Sequence, residues 1–350
     1  MLLFVMGIIM VFNVTAAEIL DRFSDKSMHH AVVKQLLYAS CGCIASGCIW
    51  YLGIDVLLRY SSYLFAGAIL LLILVFVPGI GQELNGAHRW IAMAGISMQP
   101  SEFVKVFLPI YTLQALEGIS TLRSFLILLG KISIPLTLIL FEPDNGTVLI
   151  LLATLCMLFA VIGVRWTYWV LPLVILSISG AIAALSMPHV TGRLKVYLDP
   201  TIDLLGKGHQ PYQARIAAGS GGLWGKGLGE SVQKLEYLPE ARSDYIAAIF
   251  AEEFGFVGIV GLIALYLCIA VCGYMIARNA VDIRGAVIAS TLTFLICFQA
   301  FLHLGVASGL LPSKGMNLPF FSQGGSSLIA NMIALTLICR VCKKKESFLQ

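Results

Sequence analysis

The sequence predicts an all-α polytopic membrane protein of about ten transmembrane helices with one large extracytoplasmic loop. Three observations carry this. Hydrophobic residues make up 59% of the 350 and charged residues only 12%, against about 25% charged in a soluble domain, with a mean hydropathy of +0.90. Apolar runs of bilayer-crossing length, about 20 residues, recur along the chain. Charged and glycine-rich sequence gathers in one long segment and at the ends of the runs.

The runs fall at approximately 2–20, 33–53, 62–80, 98–117, 122–141, 146–164, 167–187, 246–277, 286–306 and 325–341. Backbone groups in lipid must be satisfied within the segment, so these are helices, and the alternation of a barrel strand is absent. An even count places both termini on one side. Orientation follows from lysine and arginine in short loops. One face holds Arg59, Arg123, Lys131, Arg165, Arg278, Arg284, Arg340 and Lys343–Lys345, and the other holds Arg22, Lys26, Lys34, Arg89 and Lys314. The first face is expected to be cytoplasmic, with residues 342–350 a short basic tail. The chain reads as one membrane domain over 1–350. The N-terminal run lacks the basic start and small-residue cleavage site of a signal peptide, so it is expected to stay as the first helix.

Residues 188–245 stand apart. Thirteen charged side chains and a series of glycines (Gly219, Gly221, Gly222, Gly225, Gly227, Gly229) fall there, and the helix count puts the segment outside. Tyr197, Tyr212, Trp224, Leu235, Tyr237 and Leu238 make it too apolar for a disordered linker, so an ordered functional loop is expected. Net charge is +4 with no basic run interleaved with aromatics, which argues against nucleic acid. The nine cysteines lie in or beside apolar runs without ligand-spaced histidines or carboxylates. They are expected to pack as small buried hydrophobes.

Polar clusters mark the outer helix ends. The first is Asn85-Gly-Ala-His-Arg-Trp90 with Gln99-Pro-Ser-Glu-Phe-Val-Lys105, and the second is Glu142-Pro-Asp-Asn-Gly-Thr147. The third runs from Leu311-Pro-Ser-Lys-Gly315 to Ser322-Gln-Gly-Gly-Ser-Ser327. Ionisable groups at membrane depth are costly and point to function. Glu102 and Lys105, three apart on one helix face, fit either a working pair or a structural ion pair behind Pro100. Glu142 and Asp144 sit in a sequence that also makes a good turn. Ser326 opens the last helix after two glycines, where it can cap the helix or hold a phosphate. Asp244 follows Leu238-Pro-Glu-Ala-Arg-Ser243 and precedes an apolar run. It reads as an N-cap or as a partly desolvated general base.

These motifs, in this order and spacing, resemble the SEDS family (shape, elongation, division and sporulation) over nearly the whole chain. Family members carry Asn-Gly-Ala-Arg-Arg-Trp, Gln-Pro-Ser-Glu with a following Lys, Gln-Pro-Asp-Leu-Gly-Thr, Leu-Pro-Thr-Lys-Gly and Ser-Tyr-Gly-Gly-Ser-Ser. This chain departs at His88, Glu142, Asn145, Ser313 and Gln323, and has Arg242-Ser243 where His-Thr is common. Ser231-Val-Gln-Lys-Leu-Glu-Tyr-Leu-Pro-Glu-Ala241 is closer to the division branch than to the elongation branch.

The resemblance implies a peptidoglycan glycosyltransferase that polymerises lipid II outside the bacterial cytoplasmic (inner) membrane. It also implies a class B penicillin-binding protein as transpeptidase partner, other divisome proteins, and no nucleic acid. The family's essential aspartate maps onto Asp244, which moves the reading from cap to base. Arg89, Lys105 and Lys226 are candidates to stabilise the departing pyrophosphate, with Glu102 and Glu240 orienting those cations or binding sugar hydroxyls. No cofactor is obligatory, although a divalent cation (Mg or Mn) could share the pyrophosphate charge. Competing readings are a lipid II flippase, the elongation polymerase and a non-catalytic division scaffold.

Overall fold

The computed structural model describes residues 1–22, 29–84, 87–93, 96–119, 121–185, 192, 197–203, 206, 208–235 and 238–348. Lys26, Asn85, Gly86 and Tyr237 lie outside the described residues. In chain order the helices are α1 (Leu2–Arg22), α2 (His30–Leu52), α3 (Ile54–Arg59), α4 (Ser61–Leu74), α5 (Pro100–Leu116), α6 (Leu122–Phe141) and α7 (Asn145–Ile162). They continue with α8 (Trp166–Leu185), α9 (His209–Ser220), α10 (Ile246–Arg278), α11 (Ile283–Ala307) and α12 (Gly325–Phe348). Each apolar run in the sequence contains a helix. Six of the described helices (α2, α6, α7, α10, α11 and α12) are long and apolar enough to cross a membrane, and Leu2–Ala17 and Ser61–Leu74 are shorter apolar helices.

One small sheet is added to the helical architecture that the sequence predicts. Gly81–Leu84, Ala87–Met93 and Ile96–Met98 form a three-stranded antiparallel sheet, β1-β2-β3, ahead of α5. Gly81 pairs with Ile91, and Ile91 in turn with Met98. The last helix, α12, runs on through the basic residues to Phe348.

Cap chemistry explains several boundaries. Pro100 opens α5, where a missing N–H costs nothing. Thr121 and Ser124 form a reciprocal capping box on α6. Asp144 caps α7 by accepting from the Thr147 amide (3.1 Å) and hydroxyl (2.8 Å), and Gly163 ends that helix in the left-handed region at φ 79°.

The chain divides into two compact units. One comprises Leu37–Leu171, Ile269–Cys297 and Gly325–Gln350. Its core is α5, packed on α4, α6, α7 and α12, with Phe65 stacked on Tyr111 at 4.1 Å. The Tyr38 hydroxyl ties the sheet down by donating to the Ser97 carbonyl at 3.0 Å. The other unit comprises Met1–Leu36, Pro172–Cys268 and Phe298–Gly324. There Gly7 of α1 lies so close to the backbone of Phe320 and Phe321 that a β-carbon would not fit.

The helix surfaces are apolar, unlike those of a soluble protein. Phe256, Val260, Ile263, Leu267, Val271 and Tyr274 of α10 are all exposed and recur every three or four residues, forming one apolar stripe. The cysteines obey the same logic, against expectation. Cys41, Cys43, Cys48, Cys268, Cys272, Cys339 and Cys342 are exposed, Cys156 and Cys297 are intermediate, and none is in a disulfide. A helix face that meets acyl chains accepts a small apolar thiol as readily as a protein core does.

Candidate active site

Asp244 ends a tight turn that enters α10. Glu240 holds a left-handed backbone (φ 56°), a conformation uncommon for a residue with a side chain. That geometry turns its carbonyl back to accept from the Ser243 amide (3.2 Å) and the Asp244 amide (3.1 Å). Its carboxylate accepts from the Ser243 hydroxyl at 2.8 Å. The first helical acceptor of α10 is the Tyr245 carbonyl, bonded by the Ala248 amide at 2.9 Å. The cap position therefore belongs to Tyr245, and Asp244, half-buried, stands one residue before it.

A second segment braces this turn. The Gln323 amide donates to the Arg242 carbonyl (3.0 Å), and the Ser322 hydroxyl donates to the Ser243 carbonyl (2.7 Å) while accepting from the Leu318 amide (2.8 Å). Residues 316–323 are in turn pinned from the helices. His303 Nδ1 lies 2.6 Å from the Met316 carbonyl, Gln299 donates to the Asn317 carbonyl at 2.7 Å, and Tyr266 donates to the Pro319 carbonyl at 2.6 Å. Gly315, earlier on the same segment, faces the Asp244 carboxylate.

Below the turn lies a network that sequence reasoning missed. Glu252 and Glu253 are fully buried in α10. Glu252 accepts from Lys226 Nζ (2.6 Å), the Ser231 hydroxyl (2.5 Å) and the Val232 amide (3.3 Å). Glu253 pairs with Lys234 (2.9 Å) and accepts from Asn13 of α1 (2.6 Å), and Lys234 also donates to the Gly229 carbonyl (2.6 Å). Around it α10 breaks at Gly255 (φ 65°, ψ −164°), and the loop supplies partners for the broken turn. The Phe256 amide donates to the Gly222 carbonyl at 2.9 Å and the Val257 amide to the Leu223 carbonyl at 3.2 Å. The Gly-rich segment is thus clamped onto α10 by backbone and by ion pairs. The signal available in the sequence was two adjacent carboxylates inside an apolar run.

The remaining predicted residues belong to the other unit. Glu102 and Lys105 form an ion pair at 2.7 Å in the first turns of α5, with residue exposures of 5% and 3%. Ser326 is buried, and its hydroxyl accepts from the Gln99 amide at 2.9 Å, which joins α12 to the start of α5. Arg89, on β2, donates from Nε to the Glu142 carbonyl (2.8 Å) and from Nη2 to the Pro143 carbonyl (2.7 Å). It straps the sheet to the α6–α7 turn. Beside it the Glu142 side chain is fully buried and neither carboxyl oxygen has a hydrogen-bond partner. Burial, aided by the neighbouring Asp144 charge and opposed by Arg89, pushes its pKa up to about 8.

Of the three predicted cations, Lys226 keeps the most open side chain, 35% exposed beyond its bond to Glu252. Among the described residues no cluster of three or more His, Cys, Asp or Glu could hold a metal ion.

The chain as a whole matches a known class of membrane proteins. Residues 1–347 match the family model described as Cell cycle protein, FtsW/RodA/SpoVE. The chain is 36% identical over 354 residues to a probable peptidoglycan glycosyltransferase FtsW of Coxiella burnetii, covering 99% of this chain and 94% of that one. It is 34% identical over 355 residues to a protein of the same name from Nitrosomonas europaea (97% and 90%). To stage V sporulation protein E of Bacillus subtilis it is 35% identical over 349 residues (98% and 94%). Among solved structures it is similar to a chain of a peptidoglycan synthase complex coordinating polymerization and crosslinking, with TM-score 0.76, 26% identity and 97% of each chain covered. It is also similar to the rod shape determining protein RodA of Thermus thermophilus, with TM-score 0.66, 25% identity, and 97% and 96% covered. The chain belongs to the FtsW/RodA/SpoVE family.

Proposed function

We propose that this chain is a peptidoglycan glycosyltransferase that polymerises lipid II on the outer face of the bacterial cytoplasmic membrane, for septal wall in cell division. The observation that carries the reading is the Asp244 turn, held by a left-handed Glu240 and braced by Ser322 and Gln323. It lies in a chain that resembles, end to end, proteins named for this activity.

In the reaction the 4-hydroxyl of the acceptor GlcNAc attacks C1 of the donor MurNAc. Asp244 takes the hydroxyl proton, the new O–C1 bond forms, and the C1–O bond breaks with its electron pair leaving on undecaprenyl pyrophosphate. A positioned base contributes about 10²–10⁴-fold. Lys226, one-third exposed and oriented by Glu252, is the cation best able to reach a phosphate. Arg89 holds the α6–α7 turn, and Lys105 holds the start of α5 through Glu102. A Mg or Mn ion that arrives with the pyrophosphate is part of the substrate.

The ten helical runs act as ten spans of one membrane domain, both termini are cytoplasmic, and residues 188–245 face outward. A class B penicillin-binding protein supplies the transpeptidase. The similarity to a synthase complex that couples polymerization to crosslinking supports that partner. Relatives named FtsW, at 34–36% identity over nearly the whole chain, support the division reading.

The test is polymerisation of fluorescent lipid II by the purified chain, with its transpeptidase partner, in detergent where no second compartment exists. Glycan ladders establish a polymerase. Their absence, with lipid II crossing the bilayer in proteoliposomes, establishes a flippase instead.

A further inference from the structure

Gly315 has no conformational reason to be glycine. It is exposed and is not among the residues with a positive φ, so its backbone is one that any residue adopts. What it lacks is space on one side. A β-carbon there would lie 2.9 Å from Asp244 Oδ2, 3.6 Å from Cγ and 3.8 Å from Oδ1, and these are its three nearest atoms. The first contact is closer than a methyl group and a carboxylate oxygen tolerate, so one of them must move.

The backbone on the Asp244 side is held. Arg242 and Ser243 are bonded to Gln323 and Ser322, the Asp244 amide to Glu240, and the segment after Gly315 is fastened at Met316, Asn317 and Pro319. The part left to yield is the carboxylate, the end of a side chain with two rotatable bonds. A side chain at 315 is therefore cheap for the fold and expensive for the position of Oδ2.

We propose that Gly315 is a positioning residue for Asp244. Its bare Cα leaves the carboxylate the place it occupies, with Oδ2 against the backbone at 315. The inference rests on Asp244 being the base. It adds a second residue, on a separate chain segment, whose role is to have no side chain.

The experiment compares wild type, G315A, G315V and D244A as full-length protein with the transpeptidase partner. It measures thermal midpoint, lipid II KM, kcat and the pH–rate profile. Displacing a reacting group by about 1 Å costs on the order of 10²-fold. G315A is expected to keep its thermal midpoint and its KM, lose kcat by that order, and shift the acidic limb of its pH profile, with G315V more severe. A D244A protein that polymerises normally removes the base and with it this inference. An inactive D244A beside a fully active G315A overturns the inference alone. A G315A protein that fails to fold also overturns it, because the side chain and not the backbone is required to give.

Discussion

Replacing Glu142 by glutamine should stabilise the protein in alkaline conditions and flatten its stability profile. Glu142 is fully buried, both carboxyl oxygens lack partners, and the neighbouring Asp144 carboxylate opposes its ionisation. The folded state keeps the proton until about pH 8, whereas the unfolded chain releases it near the ordinary carboxylate value of 4.5. Between those values the folded state holds more protons, so stability is greatest below the lower value, falls as pH rises, and levels off above the upper one. Each unit is worth about 1.4 kcal/mol. From pH 6 to pH 9 the wild type should therefore lose up to about 3 kcal/mol through this group. Glutamine has nearly the same shape and cannot ionise. Thermal midpoints of both proteins, measured in one detergent from pH 5 to pH 9, should diverge progressively above pH 6, with E142Q the more stable. Parallel profiles would refute the reasoning and mean that the carboxyl is solvated or ion-paired.

Lys105→Met leaves Glu102 charged and buried and should cost about 3–5 kcal/mol, with much of that recovered in the E102Q/K105M double variant. Chemical or thermal unfolding in detergent measures both. Lys226→Ala takes a donor from the fully buried Glu252, which keeps the Ser231 hydroxyl and the Val232 amide, and should cost about 1–3 kcal/mol of stability, and raise the KM for lipid II if the lysine meets a phosphate. Unchanged kinetics would remove it from the site. Gly255→Ala puts a β-carbon against the Leu223 carbonyl at a left-handed position. It should cost at least about 1–3 kcal/mol and loosen the 222–227 loop, read as faster amide exchange at Phe256 and Val257.

The helices were legible because a bilayer demands long apolar runs, and each such run contains a helix. The sheet was not. Gly81–Met98 is short, and its alternation is interrupted by the polar motif Asn85–Arg89 that reads first as a functional cluster. The cysteines were misjudged by a rule for soluble cores, since lipid makes an exposed thiol comfortable. Asp244 was legible as a boundary carboxylate, and the backbone places Tyr245 rather than Asp244 at the cap of α10. Glu252 and Glu253 went unread because their partners, Lys226, Lys234 and Asn13, come from distant segments. Gly315 is legible as the end of the Leu311–Gly315 motif, but only the fold shows that it faces Asp244.

The most direct test of the account is polymerisation of lipid II by Asp244→Asn, a substitution that keeps the shape and hydrogen bonding of the turn and removes the base. The account predicts a correctly folded protein, with a wild-type thermal midpoint, that binds lipid II and makes polymer at least about 10²-fold more slowly. Polymer at the wild-type rate from the asparagine variant would contradict it.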